Sequence, residues 1–159
     1  MSESTTNQEL LRVLGLTEAE RLSKLAQLEH MLPVAVMAKH GVILSPCKQR
    51  RKAIGSLSVL HQFLMGTAQQ FVVATDDTID DVNQSVHHLN HWKALLFGDV
   101  NNLLVFNMNS EEEFHEWERN IKGTKRPSVA VTTISEVLVE PLHSILREVR
   151  NELYFVLDE

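Results

Sequence analysis

The chain has 159 residues, 43% of them apolar and 23% charged, enough to bury one hydrophobic core and unlike a disordered or low-complexity segment. No apolar run approaches the roughly 18 residues of a membrane-spanning helix, and the polar, acidic opening MSESTTNQEL does not read as a secretory or transit signal. The lone Cys47 cannot form an internal disulfide, which favours a reducing compartment and places the expected location in the cytoplasm.

Leu10, Leu11 and Leu14 predict a short first helix that stops at Gly15. Thr17 and Glu20 have the spacing of a capping box and open a second helix. Leu22, Leu25, Leu28 and Leu32 recur on it at helical intervals until Pro33 ends or kinks it. Residues 34–44 are ambiguous: Pro33 and Gly41 could bracket a short helix, followed by a brief strand at Val42 to Leu44. Ser45 and Pro46 suit an N-cap and first helical position, with Ile54, Leu57, Leu60 and Leu64 as the buried stripe and Gly66 as the stop.

From residue 71 the rhythm is simpler. Phe71 to Ala74 reads as a strand, and Thr78 caps a helix with Ile79, Val82, Val86, Leu89 and Leu96 on one face, ending at Gly98. Leu103 to Met108 is a second strand. Ser110 with Glu113 is another capping box, opening a helix with Phe114, Trp117 and Ile121 inward and Gly123 as its stop. Ser128 to Thr133 is the third strand. Leu142, Ile145, Val149, Leu153 and Val156 then predict a long final amphipathic helix, a natural dimer surface if its stripe is wider than the core requires.

Alternating strands and helices with short connections are the signature of a largely parallel sheet. The expectation is a single α/β domain over 1–159 whose core is βαβαβα over 71–159. It carries a small, mostly parallel three- or four-stranded sheet with helices on both faces, and residues 1–32 form a helical N-terminal extension. An antiparallel α+β arrangement is the alternative.

Ligands of open parallel sheets bind beyond the strand carboxyl ends. There the sequence places Thr75, Asp76 and Asp77, then Asn107, Asn109 and Ser110, then Thr132, Thr133 and Ser135. Asp76 and Asp77 could hold Mg²⁺ in a small metal- or ligand-dependent enzyme, but helix caps and turns use the same residue types. None of the three post-strand segments contains glycine, which disfavours a dinucleotide or P-loop site, and no G-x-S-x-G or H-E-x-x-H motif is present. No cofactor is implied.

His87 and His91 lie one helical turn apart, with Asp80 and Gln84 on the same stripe, a weak metal-ligating pattern that His115 or His143 would have to complete. A solvent-facing polar or pH-sensitive stripe is the simpler reading. Lys48, Arg50, Arg51 and Lys52 put four cations in five residues at a helix start, where the dipole disfavours them. They suit nucleic-acid phosphates or an acidic partner, although no nucleic-acid-binding signature accompanies them. Trp92, at the edge of its apolar stripe, is a candidate protein-contact residue.

Charge divides along the chain: residues 1–70 sum to +3 and residues 71–159 to −9. That asymmetry suits head-to-tail packing of two copies, or a basic partner. Together these features favour a non-enzymatic protein-binding or regulatory module, self-associating in one version. A nucleic-acid-associated protein is the alternative, and the small enzyme a third.

Overall fold

Four segments rich in β-branched and aromatic residues, QFVVAT, LVFN, SVAVTT and LYFVLD, form the strands β1 (Gln70–Thr75), β2 (Leu104–Asn107), β3 (Ser128–Thr133) and β4 (Leu153–Asp158). A computed structural model describes residues 3–31, 48–98 and 102–158. The ambiguous segment at 34–44, the Ser45-Pro46 helix start and Cys47 lie outside the described residues.

The sheet is parallel throughout, in the order β2-β3-β1-β4. Phe71 pairs with Val129 on one side and Tyr154 on the other. The helices are α1 (Glu3–Leu14), α2 (Glu18–Met31), α3 (Lys48–Met65), α4 (Ile79–Phe97), α5 (Glu111–Lys122), the short α6 (Ile134–Val137) and α7 (Leu142–Val149). The expected α/β class is therefore the observed one, with α helices on both faces of a four-stranded sheet.

Chain direction decides which helix covers which face. The β1→β2 connection passes β3 in one direction, while β2→β3 and β3→β4 run in the other. Right-handed crossovers then put α4 on one face and α5 and α7 on the opposite face. The packing agrees. Phe71, Val73, Val129 and Val131 are buried with α3 and α4, whereas Val72, Phe106 and Ala130 are buried with Trp117 and Ile121 of α5 and Leu142, Ile145 and Leu146 of α7.

The N-terminal helices share this core. Leu14, Leu25 and Leu28 are buried in the cluster under α3 and α4. Gly15 and Gly66, both at positive φ, close α1 and α3 with Schellman bonds, Leu16 N–H to the Leu11 carbonyl and Thr67 N–H to the Gln62 carbonyl. Both predicted capping boxes form at their serine or threonine: Thr17 and Glu20 bond reciprocally, and Ser110 Oγ accepts from Glu113 N–H. Glu113 turns its carboxylate to Asn107 N–H instead.

The predicted long final helix is corrected. α7 stops at Val149, a turn of 3₁₀ helix spans Arg150–Glu152, and Leu153–Asp158 is β4. Leu153 and Val156 continue the helical spacing only by coincidence. The run Leu153–Leu157 is rich in the aromatic and β-branched residues that strands favour, and pairing residue for residue with β1 satisfies one edge of its backbone. The predicted helical surface therefore does not continue past Val149.

Candidate functional site

β1 and β3 are neighbours whose outgoing connections leave over opposite faces, so their carboxyl ends form the topological switch point of the sheet. The loops there are tied together. Asp77, after β1, accepts from the amide of Ser135 (3.1 Å) and from its hydroxyl (2.5 Å), after β3. Those two bonds, the hydroxyl first, hold the Asp77 carboxyl below its ordinary range.

Beside this bridge, α3 inserts Lys52 between β1 and α4. Its side chain is 1% exposed, and Nζ lies 2.8 Å from Thr75 Oγ1, 3.4 Å from Ser85 Oγ and 3.6 Å from Asp81 Oδ1. Asp81, itself 2% exposed, also meets Lys48 Nζ at 2.9 Å and the Thr78 hydroxyl at 2.7 Å. Burial pushes the Asp81 carboxyl up, but the Thr78 and Lys48 hydrogen bonds and the charges of both lysines outweigh it and leave the group lowered. Lys48, bonded to Asp81, is correspondingly raised. Asp76 stands 3.9 Å from the Lys48 ammonium.

The other strand-end residues are engaged in the same way. Asn107 bonds Asn83 and the Asn109 amide, while Thr133 and Ser110 cap α6 and α5. The polar ring at this end of the sheet consists largely of bonds among its own members.

The basic run divides accordingly. Lys52 points into the protein, Lys48 is held against Asp81, Arg50 is exposed and Arg51 is half-buried. The run therefore does not present four cations together to solvent. On α4, His87 and His91 stack with ring centroids 6.4 Å apart and planes 18° from parallel. Asp80 is bonded instead by Gln84, at 2.7 Å, and among the described residues no three His, Cys, Asp or Glu side chains group to hold a metal. The predicted Asp80, His87 and His91 do not group, since seven residues along a helix separate Asp80 from His87 by about 10 Å of rise. Trp92 is half-buried against the core and meets the His91 ring edge-on at 5.1 Å.

Sequence reasoning missed a different surface. Phe155 and Leu157 alternate on β4 with the inward Tyr154 and Val156, and they stand 42% and 68% exposed. Leu138 and Val139, in the turn after α6, are 70% and 50% exposed. Phe155 and Leu157 share the strand face of Leu153, which packs into the cluster with α5 and α7, and Leu138 and Val139 follow Val137, which packs into the same cluster. The signal was present in LYFVLD, which is apolar on both alternations, so that a strand there puts Phe155 and Leu157 on the face opposite Tyr154 and Val156.

Fold and site together define a small parallel α/β domain with a self-bonded polar end and an apolar margin along β4. No protein-family model, no curated protein and no solved structure matches the chain. No helix among the described residues is long and apolar enough to cross a membrane.

Proposed function

We propose that this domain is a non-enzymatic protein-binding or regulatory module of the cytoplasm that engages its partner through the β4 margin. The observation that carries the reading is the exposure of Phe155 and Leu157 on β4 and of Leu138 and Val139 in the turn after α6. Apolar side chains grouped at a protein surface mark interaction sites, whereas single scattered ones need no explanation. The strand-end polar groups favour the same conclusion by a different route. Asp77, Asp81 and Asn107 are engaged within the protein, which leaves them structural work.

The test compares wild type with the double variant Leu138→Ser, Leu157→Ser as bait in native lysate, with and without nuclease. A defined protein retained after nuclease treatment by wild type and lost by a folded variant supports the module. Identical captures by both baits overturn the assignment to this surface. Partners that disappear on nuclease treatment instead favour the nucleic-acid reading, carried by Arg50 and its neighbours.

A further inference from the structure

Resting on that reading, we infer that the β4 margin receives an amphipathic basic segment of another protein: apolar side chains on Leu138, Val139, Phe155 and Leu157, and cations on the carboxylates around them. The charge around the apolar residues points to this partner. Glu136 and Glu140 are exposed and bracket Leu138 and Val139, and Asp77 is exposed on the loop that Ser135 ties to α6. Glu140 accepts from the Ser144 hydroxyl at 2.7 Å, a bond that lowers its carboxyl, with His143 3.7 Å away. An apolar patch edged by fixed negative charge selects apolar residues flanked by Lys or Arg, because complementary charge sets orientation and excludes acidic competitors.

A second copy of this chain fits less well, although its halves differ in charge. Among the described residues, four cations of the first half are engaged inside the same molecule. Lys48 and Lys52 sit on Asp81, Arg21 on Glu18 and the Leu64 carbonyl, and Lys24 on the Leu96 carbonyl. What looked like complementarity between copies is in good part complementarity between α3 and α4.

The test uses the full chain and a fluorescein-labelled amphipathic helical peptide of Leu and Lys, with a Leu/Glu peptide as control, followed by anisotropy. The Leu/Lys peptide should bind and weaken as salt rises, and the Leu/Glu peptide should not bind. Leu138→Ser with Leu157→Ser, which leaves charge untouched, should weaken binding about tenfold, the loss expected on truncating interface anchors. Glu136→Gln with Glu140→Gln should weaken it while reducing the salt dependence. Binding that follows the glutamates but ignores the leucines is generic electrostatic attraction and overturns the inference.

A photo-crosslinking residue at position 157 of the intact protein separates the two levels. Crosslinks to a neutral or acidic segment of another protein would overturn the basic partner and leave the module reading standing. Crosslinks to a second copy would likewise overturn the basic partner alone, and crosslinks confined to residues of the same chain would overturn both.

Discussion

The buried pair of Lys52 and Asp81 gives a sharp test of how α3 and α4 are joined. Their side chains are 1% and 2% exposed and stand 3.6 Å apart. Asp81→Leu removes the carboxylate and leaves a desolvated ammonium facing an apolar side chain. Breaking a buried pair from one side costs about 3–5 kcal/mol. For a domain of this size, each kcal/mol lowers the midpoint by about 2–4 °C, so the variant should melt roughly 6–20 °C below wild type. Lys52→Met should cost less, because Asp81 keeps Lys48 at 2.9 Å and Thr78 at 2.7 Å. The double variant Lys52→Met, Asp81→Leu removes both buried charges and should recover most of the loss, since an apolar pair of similar volume does about as well as a buried ion pair. Chemical denaturation of all four proteins at pH 7 gives the coupling energy directly. A double variant as unstable as Asp81→Leu, or a single-variant cost below about 1 kcal/mol, would refute the claim that these charges depend on one another.

His61 is buried on α3, and burial holds its imidazole below the ordinary value despite Glu29 at 3.8 Å. The unfolded chain therefore takes up a proton near pH 6.5 that the folded protein resists, so this contribution is full above that pH and is lost as pH falls through it. Stability measured between pH 7 and 5.5 should decline by at most about 1.4 kcal/mol per pH unit from this group, and His61→Leu should flatten the decline; an unchanged slope would exonerate the histidine. Gly66 has φ +77°, and a Cβ there would meet Leu10 Cδ2 at 2.8 Å. Gly66→Ala should lower unfolding free energy by about 1 kcal/mol or more, and full stability in denaturant would show that α1 does not need this close approach. Asp77→Ala should speed amide exchange at Ser135 without moving the global melting temperature, because it cuts a bridge between exposed loops; unchanged exchange would mean that the amide is protected by something else.

Residues with strong local chemistry were readable in advance. Thr17, Thr78 and Ser110 cap helices where their spacing said they would, and Gly15, Gly66, Gly98 and Gly123 follow helix ends. The strands at Phe71 and Ser128 could be read because their apolar runs are short and flanked by turn chemistry. The C-terminal strand was not, because Val149, Leu153 and Val156 happen to share a helical interval and the partner that decides the matter, β1, is distant in sequence. Long-range pairing also hid the roles of the basic run. Lys52 and Arg50 lie about 200° apart around one helix, so the first can turn inward while the second stays in solvent, but that Asp81 of α4 waits there as its partner depends on the fold. The Asp77–Ser135 bridge was out of reach for the same reason, since it depends on β1 lying beside β3.

The central place of β1 also bears on how the protein assembles. Both of its hydrogen-bonding neighbours, β3 and β4, come from later in the chain, and Gln70 must find Ser128 on one side and Leu153 on the other. During synthesis, Phe71–Thr75 therefore emerges with two open ladders while α3 and α4 offer cover to one face only. Such pairings close large loops before they return any stabilisation, so they form slowly. A strand that ends buried along its whole length is thus the one longest available to the wrong neighbour, and production of the intact protein should improve when synthesis is slowed or a chaperone shields that segment.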